Sequence, residues 1–299
     1  MKKILLLSFS ACILLASEQN FVEFGVATKS SKNNFSTIGE DSINSQKAKS
    51  ESDTSPYLNF FYGYNLSDST NIYASYNNEL RVGSKMNTSF GNFNFGIKYS
   101  AYDAWEDPFL LGTNRVETDV RELGAYLEYG VSFSNIHQGK IKYEFSSVDY
   151  NKENIVKELE REGYRHILGF DNMWKLKFFE RDINYMANVS YEMYDADGKA
   201  SAYDRYDLIL GFSTPVSENL TLSSFIDIGK KNYDETNPVF NKKIDSTITG
   251  INANLRWDNI LNYKSVYMNF KAGYLEEDAN TDFYDKETTY GIISLGYKF

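Results

Sequence analysis

Between residues 183 and 194 apolar and polar side chains alternate. Ile183, Tyr185, Ala187, Val189, Tyr191 and Met193 fall on one face, and Asn184, Asn188, Ser190 and Glu192 on the other, with Met186 the single intruder. Successive side chains of a strand point to opposite faces, whereas a helix would scatter the two sets around its circumference. The pattern recurs along the chain. Phe93, Phe95, Ile97 and Tyr99 oppose Asn92, Asn94, Gly96 and Lys98; Leu123, Ala125, Leu127, Tyr129 and Val131 oppose Glu122, Gly124, Tyr126, Glu128 and Gly130. Leu220, Leu222, Ile226 and Ile228 oppose Thr221, Ser223 and Asp227. Ile251, Ala253, Leu255 and Trp257 oppose Asn252, Asn254 and Arg256, and Val266, Met268, Phe270, Ala272 and Tyr274 oppose Tyr267, Asn269, Lys271 and Gly273. One such strand is weak evidence, because any half-buried antiparallel strand alternates. A long succession with no helical region between them predicts a single sheet.

The connections alternate in length. Short turns are expected at 134–139, 179–182, 214–219 and 258–263, and longer polar loops at 29–55, 151–163, 194–202, 231–245 and 276–288. Short turns on one side and long loops on the other belong to an all-β transmembrane antiparallel up-and-down β-barrel, closed because a sheet edge inside a bilayer would leave backbone groups unsatisfied. About thirteen strands read clearly, whereas barrels of this type have an even number. The ambiguity lies between Arg81 and Asp119, where 101–116 is either one long loop or a loop plus a further strand. At roughly 20 residues per strand and connection the length suits fourteen strands, with twelve as the alternative.

Composition narrows the class. The chain has 24 Tyr and 21 Phe against 4 Pro, and charges interrupt every apolar run after the first. That first run, Ile4 to Leu15, follows Lys2 and Lys3 and is too short to span a bilayer, so residues 1–17 read as a secretory signal peptide and 18–299 as the barrel. Ser10-Ala11-Cys12 offers an alternative, lipoprotein-type processing site; Phe9 and the apolar run beyond Cys12 weigh against it. Cys12 is the sole cysteine, so the exported chain has no disulfide framework. A net charge of −10 excludes general attraction to nucleic acid. Tyr57, Tyr62, Tyr64, Tyr143, Phe145, Tyr203, Tyr206, Tyr297 and Phe299 lie near strand ends and read as girdle residues at the headgroup level.

The chain closes on an alternating strand with Tyr297 two residues before a terminal Phe299, which resembles the assembly signal of outer-membrane barrels. Barrel-assembly machinery and outer-membrane lipid are the partners this implies. The size, the acidic loop Glu276-Glu277-Asp278 before the last strand and the run Asn114-Arg115-Val116-Glu117-Thr118 resemble the outer membrane protein G family of monomeric fourteen-stranded porins. The oligogalacturonate-specific porins are a second resemblance. Either implies passive diffusion of small hydrophilic solutes, ions or oligosaccharides, and the first implies a monomer. Outer membrane protein G gates through a histidine pair that has no counterpart here.

Strand parity supplies the candidate pore-lining residues: Lys98, Glu122, Glu128, Lys142, Glu144, Asp171, Lys175, Glu192, Asp207, Asp227, Arg256 and Lys271, with Lys177 of the same parity. Charge on an inward face needs water or a partner, so these residues either line a wet channel or form a network that plugs it. A structural or adhesive barrel acting through its loops is the alternative to a porin. The two histidines do not suggest an enzyme: His137 falls in a short turn, His166 has lipid-facing parity, and neither has a local His-x-Ser or Asp-His pair. No metal-ligand cluster, phosphate-binding glycine loop or cofactor motif is present, so no cofactor is expected. In 151–163, helix formers from Ile155 to Glu162 precede Gly163, which predicts a short helix that either lies on the surface or folds across the pore.

Overall fold

The computed structural model describes residues 20–38, 40–178 and 181–299, so the expected signal peptide and Cys12 lie outside the described residues. Fourteen strands follow in chain order: β1 Phe21–Lys32, β2 Ser50–Ser67, β3 Thr70–Tyr76, β4 Leu80–Thr88, β5 Gly91–Trp105, β6 Glu117–Ser134 and β7 His137–Tyr150. The second half comprises β8 Gly163–Phe178, β9 Arg181–Ala196, β10 Tyr203–Ser217, β11 Leu220–Asn237, β12 Lys242–Asp258, β13 Val266–Ala279 and β14 Lys286–Lys298. Each pairs antiparallel with its neighbours in sequence, and β1 pairs with β14 from Phe21↔Lys298 to Lys32↔Glu287, closing the ring. The Phe299 N–H donates to the Asn20 carbonyl at 2.9 Å, extending that seam by one bond. Closure satisfies the backbone of every strand, which the hydrocarbon of a bilayer requires.

The fourteenth strand is β4, nine residues between two tight connections. Residues 101–116 hold no additional strand: β5 runs on to Trp105 and the rest is loop. In the turn at 77–79 Asn78 takes φ 65°, a left-handed conformation that asparagine tolerates better than most residues. Several expected loops are instead strand. β1 and β2 reach Lys32 and Ser50, β11 and β12 leave only 238–241 between them, and β13 and β14 leave 280–285. These strands carry polar residues on both faces at their outer ends, which erases the alternation without ending the ladder. The barrel wall therefore continues beyond its apolar band. No α-helix forms in 151–163; the segment contains a single 3-10 turn, Lys157–Leu159. Arg161 donates there to Glu153 and to the Trp105 and Glu106 carbonyls, so tertiary contacts outweigh local helix propensity.

The outer face is apolar. Phe24, Val26, Phe95, Ile97, Leu123, Leu127, Leu168, Phe170, Val189, Leu210, Ile226, Ile251, Phe270, Ile293 and Leu295 are all exposed on it. Rings on this face flank the band: Tyr62, Tyr64, Phe133, Phe178, Trp257, Tyr297 and Phe299 near the turn side, and Tyr99, Tyr164 and Tyr206 toward the loop side. Tyr143 and Phe145 also face outward, Phe145 stacked on Tyr164. Tyr57 and Tyr203 do not belong to the girdle, because their parity turns them inward, where Tyr57 is buried and Tyr203 packs on Tyr194 and Tyr233. An apolar band bounded by aromatic girdles on a closed fourteen-stranded ring is an outer-membrane barrel.

Candidate functional site

The second face of every strand lines the interior. Of the charged residues assigned by parity, Lys98, Glu122, Glu128, Lys142, Glu144, Asp171, Glu192, Asp207, Asp227, Arg256 and Lys271 point into it. Lys175 stands at the turn-side rim, paired with Asp182 at 3.3 Å and half exposed, and Lys177 pairs in register with Asp182 beside it. Most of the interior charges meet opposite charge. Lys98 Nζ, 4% exposed, lies 2.7 Å from Glu144, 3.5 Å from Glu79 and 3.9 Å from Glu122. Arg81 bonds Glu79 at 2.6 Å and Glu144 at 3.0 Å, and Arg165 joins Glu122 at 2.9 Å to Glu192 at 3.5 Å. Asp171, 1% exposed, meets Lys142 at 3.1 Å and Lys140 at 3.5 Å and accepts from Asn188. Lys140 also reaches Glu128 at 3.3 Å.

A second group sits on the other wall. Glu23 accepts from Asn269 at 3.0 Å, Asn59 and Tyr267 at 3.3 Å, and Ser294, with Lys271 at 3.3 Å. Lys271 donates in turn to the Tyr57 hydroxyl at 2.8 Å. Glu277 takes Lys286 at 2.6 Å, Ser246 at 2.8 Å and Lys231 at 4.0 Å. At the turn-side end Asp258 holds Arg256 and Lys298 at 3.0 and 2.6 Å. Removing one partner of a buried pair strands the other charge, and such losses cost about 3–5 kcal/mol.

Every contact named above joins strands no more than three apart in the ring, so each runs along one wall. The rings behave likewise. A Cβ at Gly296 would stand 2.0 Å from Cζ of Tyr267, and one at Gly83 would stand 2.1 Å from the Tyr126 hydroxyl. Glycine at these inward positions lets each ring lie flat against the sheet. Arg256 and Arg81 cover the same rings at 3.9 and 4.9 Å.

The loop-side mouth is built differently. Residues 33–49 and 106–116 pair through Arg115 N–H to the Asp41 carbonyl and Gly112 N–H to the Ile43 carbonyl. The Arg115 guanidinium donates to the carbonyls of Asn34, Glu40 and Asp41 and sits 4.2 Å above Trp105. Burial beneath this loop pulls the guanidinium below its ordinary value, to about 10, which leaves it charged at neutral pH. Beside it Phe35, Phe109, Phe240, Phe283 and Tyr284 pack with ring centroids 5.0–6.4 Å apart. These residues come from connections on opposing sides of the ring, so the cluster crosses the mouth. Residues 151–163 dock at its edge: Leu159 is buried, and the Gly198 and Ala200 N–H groups donate to the Glu160 and Glu158 carbonyls.

Sequence parity passed over Glu23, Arg81, Arg165, Lys231 and Glu277. Parity carried through β1 and β4 would have supplied Glu23 and Arg81, but the partners of any charge become visible only when distant strands meet. The cap left no signal, since its rings are scattered over four connections. His137 stacks on Trp174 at 5.2 Å with Nε2 at 3.1 Å from Asn172, and His166 contacts the Tyr143 hydroxyl at 2.8 Å on the outer face.

A family model described as "Protein of unknown function (DUF2860)" matches residues 19–298. No curated protein matches the sequence. Among solved structures the chain is similar to the toluene transporter TodX of Pseudomonas putida, with a TM-score of 0.54, 10% identity and coverage of 95% of this chain and 90% of that one. It is similar to a FadL homologue of Pseudomonas aeruginosa at a TM-score of 0.51 and 10% identity, over 94% and 91%. OmpT of Vibrio cholerae aligns at 0.47 and 12% identity, over 95% and 99%. What TodX and the FadL homologue share with the chain is the barrel fold, not the pattern of outer membrane protein G or of the oligogalacturonate porins in particular.

Proposed function

The chain belongs to the DUF2860 family, and for this member of it we propose an outer-membrane channel for passive diffusion of small hydrophilic solutes, ions or oligosaccharides, closed at its outer mouth by an aromatic cap. The observation that carries this reading is the arrangement of interior charge along each wall. A plug would be expected to tie opposing walls together through the axis, whereas the named pairs and flattened rings leave each wall self-satisfied. TodX is a toluene transporter. The cap would suit an apolar cargo of that kind, but the wall below it is ionic, which favours hydrophilic solutes. The partners in this reading are outer-membrane lipid, the barrel-assembly machinery that would read Tyr297 and Phe299, and the solute. The channel performs no reaction and needs no cofactor.

The cap favours a second reading, a structural or adhesive barrel that presents its loops without conducting. Planar-bilayer recording of the refolded full chain separates the two. Discrete conductance steps are expected, larger after Arg115→Ala, Phe109→Ala and Phe283→Ala are combined to loosen the cap. A folded barrel that gives no steps with or without the cap overturns the channel reading.

A further inference from the structure

One interior carboxylate stands outside the pairing described above. Asp227 on β11 is 3% exposed, its Oδ1 has no hydrogen-bond partner among the described residues, and no ion pair reaches it. Its register partners on the inner face carry no polar side chain. Ile209 lies opposite on β10 and Gly250 opposite on β12, with Phe225 and Gly229 two residues away along its own strand. Asp207 is a diagonal neighbour: its register partner is Gly229, two positions from Asp227. Asp207 Oδ1 would be 2.4 Å from a Cβ at Gly229, so the missing side chain lets that carboxylate lie over β11, two positions from Asp227. Arg205 bonds Asp207 at 2.8 and 2.9 Å, both through Oδ1. Arg205 also faces Glu192, its register partner on β9, and its guanidinium hydrogen-bonds Asp207 but not Asp227.

An ionised carboxylate deprived of both water and a partner costs several kcal/mol, and like charges on diagonal cross-strand neighbours add to that cost. The arrangement carries a net charge of −1. We propose that Asp227 and Asp207 form a station on the β10–β11 wall for one singly charged cation, an alkali ion or the ammonium of a solute, and that this station biases the channel toward cations. A divalent ion fits less well: it would need six to eight oxygen ligands, and the station offers two carboxylates, one already engaged by Arg205. The proposal rests on the channel reading for its selectivity and on the wall geometry alone for its binding.

The test therefore has two arms on the refolded full chain. In planar bilayers under a KCl gradient, the wild-type reversal potential is expected to show cation preference. Asp227→Asn should lower the potassium-to-chloride permeability ratio at least threefold, while Glu276→Gln, outside the interior, should leave it unchanged. An equal ratio in wild type and Asp227→Asn overturns the proposal. The second arm needs no conductance. Thermal unfolding is followed in KCl, methylammonium chloride and choline chloride at equal ionic strength, because a ligand that binds only the folded state raises its midpoint. A rise specific to potassium that disappears in Asp227→Asn supports an alkali-ion station. A rise with methylammonium but not potassium assigns it to the ammonium of a solute. No difference among the three salts overturns the station, even if the channel conducts. A barrel that never conducts, yet shows the salt-specific rise, overturns only the channel reading.

Discussion

Lys98 shows how much of the interior hangs on single residues. Its ammonium lies within 4 Å of three carboxylates, and two of them, Glu144 and Glu79, share only Arg81 besides. Lys98→Met keeps most of the packing and removes the charge, which leaves Arg81 alone to hold Glu79 and Glu144 and Arg165 alone to hold Glu122. The expected loss is about 3–5 kcal/mol, read as a lower urea midpoint for the refolded barrel. The two faces of β9 offer a sharper contrast. Val189 is exposed on the apolar band, whereas Ser190 faces inward and pairs in register with Asp207. Val189→Arg should cost roughly 2–4 kcal/mol, as arginine does near the bilayer midplane. Ser190→Arg should cost far less, since its charge meets an acidic neighbour. Equal losses at the two positions would mean that the faces are assigned the wrong way round.

At the scale of elements, the connections divide into those that cross the mouth and one that braces it. Residues 33–49, 106–116, 238–241 and 280–285 supply the aromatic cluster, while 151–162 pack against 198–201 and reach the Trp105 carbonyl through Arg161. Arg161 ties that brace to the Trp105 and Glu106 carbonyls and lies 4.5 Å over Tyr150. Deleting 153–162 should leave the barrel folded, since no ladder bond is lost, but should release Trp105 and the loop that follows it. Single-channel recording is expected to show more frequent openings. Conductance and flicker identical to the intact chain would limit this segment to a surface role.

For the whole molecule, closure is the dominant fact. Opening the ring anywhere exposes a row of unsatisfied backbone groups, so unfolding must proceed through a high barrier and the barrel persists in detergent until heated. Unboiled and boiled samples are therefore expected to migrate differently on a gel, with a β-type far-UV spectrum that is lost on boiling. Identical mobility combined with a helical spectrum would contradict the fold.

Period-two alternation was enough to place most of the β-strands with their inward and outward faces; it gave about thirteen, chain length carried the count to fourteen, and nearness to strand ends picked out the outward rings Tyr62, Tyr64, Tyr206, Tyr297 and Phe299. These follow from local rules: side chains alternate on a strand, and lipid accepts only one of the two sets. Where both faces meet water, at the outer ends of β1, β2, β11 and β12, the alternation fades and the strands read as loop. Residues 151–163 failed for a related reason, because the helix that Ile155 to Glu162 favours was outbid by the Arg161 contacts to a distant segment. Tyr57 and Tyr203 were misplaced because proximity to a strand end says nothing about which face a ring occupies. Only the closed ring decided which charges neutralise one another, which rings lie on glycine, and that Asp227 Oδ1 has no hydrogen-bond partner among the described residues. Those outcomes depend on strands two or three places apart along the wall, and no periodicity within a single strand encodes them.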